Sequence, residues 1–316
     1  VTRPSLRMTL QQPSKHLHTR RSILQFLAYA AVGSPSLSIL AAPQVKDAEN
    51  KELEQRIQDF KDVTKLQDLA FDYTNQMKYK DAELLWTKII SLNERNPAAY
   101  SNRGNCRTSQ GRFDEAVVDF DRAITLAPDE PDPYLGKGVA FEGLGKFSEA
   151  IKCYEVANTK SVGKYGDKDP VAYNNIGNAH AGLGDWKEAY ENYKVAADMD
   201  PKYVFALANE ALALYELRED SKAIKIIKYL VRKYPKFSDM HAALAVIMWE
   251  RDNREEAENQ WFEAVDQDSR YLDSKWVKSI RRWPPRLAEG LASFRNLDIG
   301  KNPIKNRDLM EGAYFL

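Results

Sequence analysis

Cysteine is scarce in this chain. Only Cys106 and Cys153 occur among 316 residues, 47 positions apart. No C-x-x-C and no paired histidines accompany them, which excludes a disulfide framework and a zinc module. One bridge between the two remains open on arithmetic alone; two separate small hydrophobes is the simpler reading. Histidine is equally rare, with His16, His18, His180 and His241 the full set. The sequence contains no H-E-x-x-H, no G-x-x-x-x-G-K-[ST] and no G-x-S-x-G, so the common metalloprotease, P-loop and nucleophile-elbow chemistries are excluded. Non-catalytic behaviour without a cofactor is the expectation.

Acid is missing at one end. Residues 1–46 carry Arg3, Arg7, Lys15, Arg20, Arg21 and Lys46 and no Asp or Glu. The whole chain balances 46 basic against 46 acidic residues. Setting the six leading cations aside leaves 40 against 46, a body charge of −6. That mildly acidic body argues against a nucleic-acid partner. The leader is rich in Ser, Thr, Arg and His, as organellar transit peptides are. Arg20 and Arg21 then precede an uncharged run of 20 residues, Ile23 to Ala42, broken by Gln25, Gly33 and Pro35. Two arginines before an apolar run resemble a twin-arginine signal, and 20 residues just span a hydrocarbon core. Three readings compete: a cleaved lumen-targeting signal, an uncleaved membrane anchor, or a mitochondrial presequence with an inner-membrane anchor. The bipartite pattern, 1–46, resembles that of plant and algal thylakoid proteins, with a mitochondrial or bacterial-envelope destination as the alternative. Residues 47–62 place Leu53, Ile57 and Phe60 on one helical face, a linker or N-capping helix.

The body repeats. Ala82, Ala116, Ala150, Ala189, Ala223 and Ala257 stand 34, 34, 39, 34 and 34 residues apart. Ala70, Gly104, Gly138, Gly177, Ala211 and Ala245 recur at the eighth position of each unit, and Trp86, Phe120, Tyr154, Tyr193, Ile227 and Trp261 on the second helix. Pro128, Pro201 and Pro235 end units. A 34-residue period of this composition resembles the tetratricopeptide (TPR) repeat. The resemblance implies an all-α, right-handed superhelical solenoid of six helix–turn–helix repeats, 63–96, 97–130, 131–169, 170–203, 204–237 and 238–271. Each unit buries little alone and the core arises by stacking. C-terminal capping helices are expected over 272–296, from the stripe Leu272, Trp276, Ile280 and Trp283 and then Leu287, Leu291 and Phe294, with a tail at 297–316.

Departures from the pattern stand out. Arg103 occupies a usually apolar seventh position, with Asp119 on helix B within reach, and the two are read as a structural ion pair. Arg107 has no obvious partner and is read as turning toward the groove. Five extra residues fall within 158–169, an expected longer loop, cheap in closure entropy, either tolerated or contacting a partner.

Members of the family generally bind peptides or protein segments on the concave face. Here that face is expected to present Ser101, Asn102, Asn105, Asn174, Asn175, Asn178, Asn209 and Tyr215. Carboxamides both donate and accept hydrogen bonds, so a row of them suits an extended backbone; Asn is also ordinary at these positions. The family's carboxylate clamp does not fit. Where it needs Lys and Arg on a third A helix, the frame from Pro97 supplies Val171 and Asn175, and that from Pro131 supplies Phe205 and Asn209. The expected function is a protein-interaction scaffold, an assembly or maintenance factor for a thylakoid photosynthetic complex. Its partner is expected to be a protein or peptide, with membrane association through residues 23–42 if that run stays uncleaved.

Overall fold

Prolines and caps set where each helix starts. The structure, a computed structural model, describes residues 62–295. Pro97, Pro131 and Pro170 each open a helix, where the missing N–H costs nothing and the fixed φ helps. Side chains of Asp62, Asn96 and Asp169 accept from first-turn amides, satisfying otherwise orphaned donors. Other prolines stop helices. Ala127, Asp200 and Tyr234, each just before a proline, lie outside helical geometry with ψ of 77, 92 and 75°, as Pro Cδ requires of its predecessor.

Twelve helices result, in six antiparallel pairs. Unit one holds α1 (Val63–Asn75) and α2 (Tyr79–Leu92), unit two α3 (Pro97–Ser109) and α4 (Phe113–Leu126), unit three α5 (Pro131–Gly143) and α6 (Phe147–Tyr165). Unit four holds α7 (Pro170–Leu183) and α8 (Trp186–Met199), unit five α9 (Val204–Glu216) and α10 (Asp220–Lys233), unit six α11 (Ser238–Glu250) and α12 (Arg254–Gln267). The turn inside every unit passes through a left-handed residue at its fifteenth position. Gly111, Gly145 and Gly184 fill it in units two to four, and Met77, Arg218 and Asp252 in the others, where a Cβ makes the conformation costly.

Close approach at the eighth position builds the core. A methyl on Gly138 would lie 2.4 Å from the Tyr154 ring, and one on Gly177 2.6 Å from Tyr193. Phe120 fits twice, against Gly104 of its own unit and against Gly136 of the next. Phe113 and Phe147 similarly sit on Gly143 and Gly182 of the following unit. Neighbouring A helices also touch, α3 with α5 and α5 with α7, whereas consecutive B helices make no comparable contact. The A helices therefore line the concave side.

The 39-residue unit differs from the expected longer loop. Its extra residues are helical: α6 has 19 residues where each other B helix has 14. Five more residues add about 7.5 Å of rod, ended by left-handed Gly166. Lys160 meets Asp129 at 2.9 Å and Lys164 pairs with Glu130, tying the extension to the junction of units two and three.

Beyond α12 the chain forms a 3-10 turn (Ser269–Leu272), a short helical turn (Ser274–Trp276), a π-helical turn (Val277–Arg281) and α13 (Pro285–Arg295). The buried residues of the first stretch are Tyr271, Val277 and Trp283, with Leu272, Trp276 and Ile280 only half-buried. The π turn shifts the register away from the expected stripe, because it takes more residues per turn than an α-helix. α13 buries Leu287, Leu291 and Phe294. It packs on α11 and α9, the concave side, rather than across the open end. Arg20, Arg21, the expected targeting segment 1–46, the linker up to residue 61 and the tail 297–316 lie outside the described residues. No helix among the described residues is long and apolar enough to cross a membrane.

A methyl added at Gly177 meets the backbone oxygen of Ala189 at 3.1 Å besides the Tyr193 ring, and backbone cannot step aside. Gly177→Ala is therefore expected to destabilise by about 1–3 kcal/mol through overpacking. Gly163→Ala, with nothing within 4 Å, should gain up to about 1 kcal/mol from helix propensity. Thermal melts of the two variants check the opposite signs.

Candidate functional site: the concave face

Charge pairing holds Arg103 on Asp119 and removes Arg107 from the groove. Arg103 donates to both Asp119 oxygens, at 2.9 and 2.7 Å. Arg107 does not turn toward the groove. It pairs with Glu83 at 2.9 Å and Asp119 at 3.0 Å, because Glu83 of unit one reaches across the stacking interface. Arg112 completes the cluster on Glu83 at 2.6 Å. Burial alone would push the Glu83 carboxyl up, but Arg107, Gln110 and Arg112 outweigh it and hold it below the usual range. Elsewhere Cys106 is buried and its thiol is pushed up to about 12 by that burial, which removes it as a nucleophile near neutral pH. Among the described residues no cluster of His, Cys, Asp or Glu could hold a metal ion.

The rest of the face divides in two. In units one to three an open cleft of about 290 Å³ runs between Phe71, Ser101, Asn102, Asn105, Asp132 and Pro133, with Glu130 and Lys164 at its edge. Lys164 reaches that edge only because α6 is lengthened. Asn102 Nδ2 donates to the Ala98 carbonyl at 2.8 Å; Asn105 lies beside the Gly136 backbone.

In units three to six the groove is occupied by the chain's own residues 281–295. Asp239 anchors them. Its fully buried carboxylate accepts from Tyr271 Oη at 2.6 Å, Trp283 Nε1 at 2.9 Å and Arg281 Nε at 3.0 Å. Arg282 donates to Glu142 Oε1 at 3.2 Å and to its backbone oxygen at 3.3 Å. Arg286 donates to Asp220 Oδ2 at 2.9 Å and to the Tyr215 carbonyl at 2.7 Å, its guanidinium stacked 3.7 Å from the Tyr215 ring. Phe294 lies edge-on between Trp249 and Trp261. Four buried apolar side chains, Trp283, Leu287, Leu291 and Phe294, at about 1.5–3 kcal/mol each, supply the attraction. The ion pairs fix the register more than they add stability.

Five of the sequence-predicted groove residues fall under or beside this arm. Asn209 donates to Asn174 at 3.0 Å and to Asn178 at 3.4 Å, and accepts from Arg281 at 3.4 Å. Tyr193 Oη donates to Asn178 at 3.0 Å. Tyr215 is buried, its hydroxyl on Glu250. Asn175 is 1% exposed and meets no partner segment from that position. Asn209 thus ties Asn174 and Asn178 together beside a small cavity of about 70 Å³ that Arg281, Arg282 and Pro284 help line, whereas the buried Asn175 Nδ2 has no hydrogen-bond partner among the described residues. Sequence reasoning missed Glu142, Asp239 and Arg281; an Asp at the second position of an otherwise apolar helix was the available signal.

Burial pushes the Glu142 carboxyl up, and Arg282 and the Tyr154 hydroxyl only partly offset it. A raised acid contributes its full stability below the unfolded carboxyl range and loses it as pH rises through the folded value. Glu142→Gln keeps the side chain's shape and one acceptor oxygen, which can still take the Arg282 bond, turns the other oxygen into an N–H donor beside the Tyr154 hydroxyl, and cannot ionise. Its melting temperature is expected to match the parent near pH 4 and to exceed it progressively toward pH 8. A gap of opposite sign would mean that pairing with Arg282 outweighs burial.

Comparison with known proteins agrees with the helix pairs. Family models described as Tetratricopeptide repeat match residues 97–130, 170–203 and 208–271. No curated protein matches by sequence. Among solved structures, the Cut9–Hcn1 hetero-tetramer of the APC/C is 16% identical with a TM-score of 0.61, over 85% of this chain and 48% of that one. A tetratricopeptide repeat protein from Parabacteroides merdae is 13% identical with a TM-score of 0.56, over 85% and 99%. PilF of Pseudomonas aeruginosa is 12% identical with a TM-score of 0.55, over 78% and 98%. At such identities the likeness carries the fold alone. With six stacked helix pairs and family matches falling on four of them, the chain carries tetratricopeptide repeats.

Proposed function

We propose that this chain is a protein-interaction scaffold whose open cleft in units one to three receives an extended segment of a partner protein. Tetratricopeptide-repeat proteins generally mediate protein–protein interaction. The observation that carries the reading is the division of the concave face: units three to six are filled from within, and the cleft beside Asn102 and Asn105 is left open. Carboxamides there can exchange hydrogen bonds with an extended backbone, and Phe71, Pro97 and Pro133 give it apolar walls. The place of action proposed is the thylakoid, lumen or lumen-side membrane, and the role assembly or maintenance of a photosynthetic complex. Support for that lies in the acid-free leader followed by Arg20, Arg21 and the uncharged run.

Two experiments test these readings separately. A photo-crosslinking amino acid at Phe71, in protein added to isolated thylakoids, should yield a discrete adduct, and one at Tyr229 on α10 should not. Adducts at Tyr229 alone would put the binding surface on the convex side. Asn102→Ala with Asn105→Ala removes two hydrogen bonds of about 1 kcal/mol each, so adduct affinity should fall about tenfold or more. For the destination, import into isolated chloroplasts should give a protease-protected product. Arg20→Lys with Arg21→Lys should stop it short of the lumen; unimpaired delivery would remove the twin-arginine route.

A further inference from the structure

The segment in the groove of units three to six is built like a ligand. It belongs to no helix pair. The chain enters it through a π-helical turn and through Arg282, whose φ of 54° puts a side-chain-bearing residue in the left-handed region. Such conformations persist where surrounding contacts impose them. Trp283 and Pro284 then lie outside any helix, and α13 begins at Pro285. The arginines and Trp283 of the segment find receptors on three different units. Arg282 takes Glu142 of unit three, Arg286 takes Asp220 and stacks on Tyr215 of unit five, and Arg281 and Trp283 share Asp239 of unit six. Except for Asp220, at the start of α10, these receptors lie on A helices. Guanidinium forks matched to carboxylates and an indole N–H matched to a buried acceptor make a specific reader of sequence. Consecutive prolines, with φ already fixed, lower the ordering cost of the occupant.

We propose that the concave face of units three to six is a second protein-binding site, specific for a partner segment of the pattern arginine-arginine-aromatic-proline-proline-arginine, and that residues 281–295 occupy it as a competitor in cis. The site is separate from the open cleft, so its fate does not depend on what binds there. A partner segment of this pattern enters only as the arm lifts about the π turn and Arg282. The arm's tether sets the effective concentration that the partner must exceed.

The test uses the full chain and a fluorescent peptide copying residues 278–295. In the variant Arg282→Ala with Arg286→Ala the arm is loosened and every groove residue is intact. Fluorescence anisotropy is expected to show this variant binding the peptide about tenfold or more tightly than the parent. Adding Glu142→Ala should cost the loosened variant about tenfold again. A peptide of the same composition in scrambled order should bind neither. Equal binding by parent and loosened variant, or by the scrambled peptide, would overturn the proposal. So would a concentration-dependent dimer in light scattering, which would mean arm exchange between copies. The parent alone supplies an independent check by hydrogen exchange. Amides of residues 287–295 should open about tenfold or more faster than those of 242–247 on α11. Equal protection would make the arm a permanent part of the core and sink the idea.

Discussion

Everything in this molecule hangs on one contact repeated six times, a large side chain from helix B seated against a small residue on helix A. Glycine or alanine at the eighth position sets how near the two helices come. Where the small residue is glycine, the ring lies so close that no methyl would fit, as at Gly138 under Tyr154. At Phe120 the same ring serves the next unit too, spanning Gly104 and Gly136, so that pairing within a unit and stacking between units are there one act. This is why no unit is stable alone, and why the curvature of the rod follows from side-chain size.

A second constraint governs the groove. Once A helices line the concave side, polar groups there must find partners or water. In units three to six they find one another and the returning arm. Asp239 collects three donors from two parts of the tail, and an unpaired buried carboxylate would cost far more than the pairs contribute. The tail therefore cannot be regarded as a lid over the last helix. It completes the hydrogen bonding of a surface that the repeats alone leave unfinished.

Much of the fold was legible in the sequence, and the reasons are local. The spacing of Ala82 to Ala257 located all six units, because one small residue per unit is enough to set a period. Arg103 and Asp119 could be placed together because both lie in one unit. Arg107 could not, since its partner Glu83 belongs to the unit before, and single-unit reasoning does not reach across the interface. The extra residues of unit three read as a loop because Gly163 and Gly166 are helix breakers by propensity; the pairs Lys160–Asp129 and Lys164–Glu130 hold an otherwise weak helix. Repeat number places the candidate groove residues on the A helices. What hid their occupancy was a contact between Arg282 and Glu142 spanning 140 residues, which no periodicity can reveal. The left-handed fifteenth position was legible only where glycine fills it.

The bond between Arg282 and Glu142 has a mechanical side. It links a point past the end of the repeats to a point in their middle, so the C-terminal four units form an arc closed by its own chord. An open solenoid bends like a spring, but a strung bow holds its span until the string slips. Units one and two lie beyond the string and are not braced by it. One protein thus carries four strung units and two unstrung ones cut from the same repeat.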